Sequence, residues 1–199
     1  MNAASSIAND GRRIEAGERV LLIDSKDRRY LITLAVNGMF STHAGIVRHD
    51  EIIGQLEGIE VVAHQRDESR KSTRLLLVLR PTLGDLILKM PRGAQVIYPK
   101  DLGAILMAAD LYPGARVLEA GVGSGALSMA ALRAGCVVLG YEIREDFAKR
   151  ARANVRDFFG EDVHYEVEVR DIYEGIDVRG VDRILLDLPH LLLPHLLHF

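Results

Sequence analysis

Three alternating glycines, Gly121, Gly123 and Gly125, follow a short apolar run and a carboxylate in Arg116-Val117-Leu118-Glu119-Ala120-Gly121-Val122-Gly123-Ser124-Gly125-Ala126. Glycine tolerates positive φ and carries no Cβ, so this turn lets the backbone double back and aim N–H groups at a ligand. The chemistry it favours is binding of a nucleoside cofactor. Three further carboxylates, Glu142, Asp171 and Asp187, fall at or just after the ends of strand-like segments, where an open α/β sheet presents its ligand crevice. Glu142 lies 21 residues after Gly121, a spacing at which an acid accepts hydrogen bonds from both hydroxyls of a ribose. The glycines alone leave the cofactor open, because Gly121 to Ala126 also satisfies the loose dinucleotide pattern G-x-G-x-x-G/A. The neighbours favour S-adenosylmethionine over NAD: Glu119 ahead of the turn, the tight G-x-G-x-G spacing, and Asp187 followed by Leu188-Pro189. A dinucleotide needs its pyrophosphate cradled, whereas S-adenosylmethionine brings a sulfonium and an amino-acid tail, which extra acids suit.

The elements that must position these residues are those of an alternating α/β pattern. Strand Val117–Glu119 leads to helix Ala126–Ala134, strand Val137–Tyr141 to helix Arg144–Phe159, strand Val163–Val169 to a loop, and Asp182–Asp187 forms a fourth strand. Such alternation implies parallel βαβ units, hence a Rossmann-like domain with ligands outside the carboxyl ends of its strands. Upstream, Asp101–Leu111 has helical spacing, and Pro81–Lys100 is a connector dense in breakers. From Glu18 to about Lys89 the pattern changes to short β-like runs, Arg19–Ile23, Tyr30–Ala35, Ile59–Ala63 and Arg74–Leu79, punctuated by polar residues and glycine. The expected organisation is a flexible N-terminus over 1–17, a small β domain over 18–89, a Rossmann-like domain with its connector over 90–189, and an atypical apolar tail over 190–199.

Composition narrows the function classes. With 199 residues, 48% of them apolar and 27% charged, the chain can bury a core and reads as globular. No apolar h-region follows a basic patch in Met1–Asp10, and no run approaches the roughly 20 apolar residues of a membrane helix, so the expected location is the cytoplasm, without membrane association. A net charge of −3 argues against a generic nucleic-acid binder, but residues 1–100 balance at +3 and 101–199 at −6, so a polyanion would lean on the first half. The single cysteine, Cys136, sits in apolar sequence and is expected to be a buried spectator. His43 and His49 share a loop without a further ligand, and no metal is expected.

The connector Met90-Pro91-Arg92-Gly93-Ala94-Gln95-Val96-Ile97-Tyr98-Pro99-Lys100-Asp101, followed by Pro113 to Leu127 with its glycine turn, resembles the tRNA (adenine-N1-)-methyltransferases that modify adenine 58 in the T-loop. The likeness continues through Tyr141-Glu142-Ile143-Arg144-Glu145-Asp146-Phe147-Ala148 and Asn154-Val155, and back into the Thr42–Gly54 loop, covering roughly Gly17 to Pro189. It implies a class I methyltransferase domain behind a small β domain, assembled as a homotetramer that grips tRNA across subunits. It also implies roles. Gly121, Val122, Gly123 and Ser124 would line the methionine part of S-adenosylmethionine, and Glu142 would hold the ribose hydroxyls. Phe147 would sit beside the cofactor, and Asp171 would meet the adenine ring. Gln95 and Tyr98 would close the pocket, and Asp187 would face the target base as the catalytic carboxylate. His43 and His49 receive no chemistry.

Beyond Leu188-Pro189 the chain departs from that family, which continues with an acidic residue, Pro-Trp and some eighty further residues. Here Pro189-His190-Leu191-Leu192 is nearly repeated by Pro194-His195-Leu196-Leu197. The expectation is a C-terminally truncated relative with an open edge on strand Asp182–Asp187 and impaired methyl transfer. Two other readings compete: a noncatalytic tRNA-binding or assembly module, and an NAD-dependent oxidoreductase using the same turn.

Overall fold

A computed structural model describes residues 11–65, 74–93 and 95–188. The tail 190–199, Pro189 and the first ten residues lie outside the described residues. The chain divides into two compact units, 1–82 and 83–199.

The first unit is built on β1 (Arg19–Asp24), β2 (Arg29–Thr33), β3 (Met39–Ser41), β4 (Ile46–Arg48), β5 (Glu60–Ala63) and β6 (Arg74–Leu79). β2, β1, β6 and β5 pair in that order, antiparallel throughout, and β3 pairs with β4 as a hairpin. Val20 and Leu22 of β1, Leu76 and Val78 of β6, Val61 of β5 and Val47 of β4 fill one apolar core. Ile14 also belongs to this core at 1% exposure, and its N–H donates to the Gln55 carbonyl. Within residues 11–17, expected as part of a flexible terminus, Ile14 is therefore packed into the core, and its burial offsets the entropy of ordering its exposed neighbours. The β1–β2 turn carries Asp27 at φ 57 and is closed by Asp24, whose carboxylate accepts the N–H groups of Lys26 and Arg28 and the Arg28 guanidinium. His43 and His49 are structural here: His43 Nδ1 stands 3.2 Å from the Tyr30 hydroxyl, and His49 Nδ1 accepts the Ala35 N–H.

The second unit opens with α1 (Leu83–Lys89), inside the Pro81–Lys100 connector and within the 18–89 range expected for the β domain. It continues with α2 (Pro99–Ala108), β7 (Arg116–Ala120), α3 (Ala126–Arg133), β8 (Val137–Glu142), α4 (Glu145–Phe159), β9 (Tyr165–Val169) and β10 (Arg183–Leu186). The four strands form a parallel sheet in the order β10, β7, β8, β9. Period-two alternation sets its faces. Val117 and Val138 point into the core built with α1, α2 and α3, whereas Leu118, Ala120 and Tyr141 pack on the other side with Ile172, Ile176 and Val178. α3 is buried along Ala126–Leu132, so it is apolar nearly all round, while α4 buries only Ala148, Ala151, Asn154 and Val155. Cys136 is buried, and its thiol lies 3.5 Å from the Tyr112 carbonyl. Among the described residues β10 pairs with β7 alone. Leu185 is packed, whereas Ile184 is 38% exposed. No helix among the described residues is long and apolar enough to cross a membrane.

Candidate functional site

The strands β7, β8, β9 and β10 all end at one cavity of about 620 Å³. Its floor is the glycine turn between β7 and α3, in which Gly121, Gly123 and Gly125 take φ of 84, 57 and 85. One of these is dictated by more than conformation. A Cβ on Gly121 would stand 2.1 Å from the Asp187 carbonyl oxygen, whereas one on Gly125 would only reach ordinary contact with Ala151 of α4. The turn is anchored by Asn154, whose Nδ2 donates to the Ser124 carbonyl at 2.9 Å and to the Pro91 carbonyl at 3.0 Å.

Glu142, buried at the end of β8, accepts the Gly123 N–H at 2.8 Å through Oε2 and the Arg144 N–H at 3.0 Å through Oε1. A carboxylate fixed by two backbone donors keeps lone pairs for further hydroxyl donors. Asp171, after β9, caps a short 3-10 turn by accepting the Tyr173 N–H at 2.9 Å. Asp187, after β10, is exposed at the cavity, and its N–H donates to the Ala120 carbonyl. Phe147 of α4 lies half-buried in the wall with the Arg144 guanidinium 3.9 Å above its ring.

The deepest group is Glu119, 1% exposed. Alternation along β7 turns it toward α3, where the Ser128 hydroxyl donates to its Oε2 at 2.6 Å, and the Tyr165 hydroxyl stands 3.2 Å from Ser128 Oγ. Burial pushes its carboxyl up to about 8, the Ser128 hydrogen bond opposing this and the nearby charges of Asp187 and Glu142 adding to it. Near neutral pH Glu119 is therefore mostly protonated. Burial likewise raises the Tyr165 phenol, with Glu119 adding to it.

Of the residues singled out from the sequence, Gln95, Gly121, Val122, Gly123, Ser124, Glu142, Phe147, Asp171 and Asp187 border this one cavity. Tyr98 does not. Pro99 follows it at the start of α2 and holds it extended, and Tyr98 is 46% exposed, outside the wall. Val96 and Ile97 line the cavity instead. Sequence reasoning also missed Tyr141, Ile143, Arg144, Arg170 and Tyr173; those flanking Glu142 and Asp171 had a usable signal, since residues beside a strand-end acid share its rim.

The donor set fits a nucleoside carrying a cationic tail. Ser124 Oγ is buried without a hydrogen-bond partner, a polar atom in the wall that a ligand would satisfy. Four acids, Glu119, Glu142, Asp171 and Asp187, line the cavity together with Arg144 and Arg170, and no lysine is among its lining residues. Among the described residues no group of three His, Cys, Asp or Glu side chains could hold a metal ion.

Comparison with known proteins agrees with this geometry. Residues 13–62 match the TrmI-like N-terminal family, and residues 74–196 match the family described as tRNA methyltransferase complex GCD14 subunit. The tRNA (adenine(58)-N(1))-methyltransferase TrmI of Thermus thermophilus is 37% identical over 173 residues, covering 85% of this chain and 65% of that protein. A SAM-dependent O-methyltransferase from Thermotoga maritima superposes with a TM-score of 0.78 at 34% identity, covering 88% of this chain and 64% of that one. The tRNA (m1A58) methyltransferase TrmI from Aquifex aeolicus gives 0.71 at 29% identity, covering 85% and 64%. The chain thus spans just under two thirds of the length of these relatives. With a glycine turn and strand-end acids in a class I methyltransferase fold, and with the family match running through more than half its length, the chain belongs to the tRNA methyltransferase complex GCD14 subunit family.

Proposed function

We propose that this protein transfers a methyl group from S-adenosylmethionine to N1 of adenine 58 in the tRNA T-loop. The observation that carries the reading is the convergence of the glycine turn, Glu142, Asp171 and Asp187 on one cavity in a chain of this family. When bound, S-adenosylmethionine supplies an electrophilic methyl on a sulfonium. The residues of the chain do the rest. Gly121, Val122, Gly123 and Ser124 receive the methionine part, Glu142 accepts the ribose hydroxyls, Asp171 meets the adenine, and Phe147 and Gln95 close over it.

Adenine N1 has an in-plane lone pair, so no covalent enzyme intermediate is needed; the protein has to align acceptor with donor and exclude water. Methylation leaves positive charge shared between the base and its exocyclic amine. Asp187, accepting a hydrogen bond from that amine, stabilises the charge as it develops and later takes the proton. N1 lies on the pairing edge, so the base must leave its T-loop contacts to enter the cavity, at a cost of about a few kcal/mol.

Residues 18–89 serve in this reading to hold tRNA, residues 90–189 to bind cofactor and base, and four copies assemble in the cytoplasm so that one tRNA touches more than one subunit. Sedimentation of the chain with and without tRNA measures the assembly. The chemistry is tested by Asp187→Ala: methyl transfer to unmodified tRNA is lost, while calorimetric binding of S-adenosylhomocysteine stays within a few fold of wild type. Wild-type methylation by that variant, or binding of NADH in place of S-adenosylhomocysteine, overturns the reading.

A further inference from the structure

Asp177 stands outside the cavity wall yet grips two residues that are part of it. The Tyr141 hydroxyl donates to Asp177 Oδ1 at 2.6 Å, and Arg170 Nη1 donates to Asp177 Oδ2. The Arg170 guanidinium lies 5.2 Å from the centroid of the Tyr141 ring, and that ring is 1% exposed. Tyr141 immediately precedes Glu142, and Arg170 immediately precedes Asp171. The Arg170 N–H donates to the Glu142 carbonyl at 3.0 Å, tying the ends of β8 and β9 together. One carboxylate therefore clamps the residues that flank both nucleoside-facing acids.

A guanidinium at this rim is a hazard as well as a prop. Charge-assisted hydrogen bonds are roughly twice as strong as neutral ones, so an arginine free to reach Glu142 or Asp171 would outcompete a ribose hydroxyl or an adenine amine for their oxygens. Asp177 offers that guanidinium a better-placed anion, with Glu168 a weaker neighbour at 3.8 Å. The Tyr141 hydroxyl and the Arg170 guanidinium both donate to Asp177 and hold its carboxyl below the usual range, so the clamp stays ionised at neutral pH.

We propose that Asp177 is a positioning residue that parks Arg170 against Tyr141, keeping its cation off Glu142 and Asp171 so that both acids stay available to the nucleoside. The inference rests on the S-adenosylmethionine reading above. It makes a signed prediction that a merely structural aspartate does not.

Calorimetric titration of S-adenosylhomocysteine into the whole chain tests it. Asp177→Asn weakens binding roughly tenfold, within the coupling range of residues in direct contact, with little change in melting midpoint. Adding Arg170→Gln to that variant removes the misplaced cation and recovers most of the loss. Should Asp177→Asn fold poorly, Tyr141→Phe, which deletes only the hydroxyl that aims Asp177, gives a smaller loss of the same sign, again relieved by Arg170→Gln. Wild-type affinity in Asp177→Asn, or a double variant that binds no better than its parent, overturns the inference while leaving the proposed function standing. A wild-type chain that binds no S-adenosylhomocysteine overturns both.

Discussion

Asp24 in the β unit and Glu119 in the α/β unit are buried to a similar degree, at 7% and 1% exposure, yet the protein treats them oppositely. Burial raises both. Around Asp24, however, the N–H groups of Arg28 and Lys26 and the Arg28 guanidinium outweigh it, and its carboxyl ends below the usual range. Glu119 has one hydroxyl donor, two carboxylates nearby and, among the described residues, no ion-pair partner, and burial wins. The difference separates a charge built to hold a turn from a group kept neutral beside a cavity. A buried acid held neutral with so perturbed a proton affinity, beside a cavity, marks that cavity as the functional one.

The largest effect expected from breaking this contrast comes from Gly121→Ala. The added Cβ would meet the Asp187 carbonyl at a φ that L side chains rarely adopt, displacing the turn beside Glu119. Misplacement of that size costs about a hundredfold in productive binding, read by S-adenosylhomocysteine calorimetry, while the β unit keeps its own core.

Next in size is the pH dependence of stability. Glu119 has a folded value raised from 4.5 to about 8, so the folded state holds a proton that the unfolded state releases. Its stabilising share is full below pH 4.5 and is lost as pH rises toward 8. Glu119→Gln removes that slope, an effect of at most a few kcal/mol above pH 8, visible in urea unfolding at pH 6 and pH 9. Asp24 carries the opposite sign: its share is present above its ordinary value of 3.8 and is lost as pH falls through the lower folded value. Asp24→Asn, the smallest change, lowers the melting midpoint of the β unit at neutral pH, makes it less sensitive to acid, and leaves ligand affinity untouched.

Much of this contrast was legible in the residues. Short β-like apolar runs mark β1, β6 and β8, and the strand-end acids point to the cavity because strand ends are local features. β3 and β4 were not found, since three residues each are too few to display a period. α1 hid between Pro81 and Pro91, where breakers suggest an irregular connector although seven residues still close two turns. The partners of Glu119 and Asp177 were out of reach for another reason: Ser128 and Tyr165, like Tyr141 and Arg170, come from separate elements, and only packing brings them together.

Asn154 ties the carbonyl of Pro91 to that of Ser124 through a single amide. Both acceptors are main-chain atoms, so the tie between connector and turn is made without the side chains of those two positions. A change of side chain on either bank leaves both acceptors in place, whereas loss of the one amide on α4 removes both bonds at once.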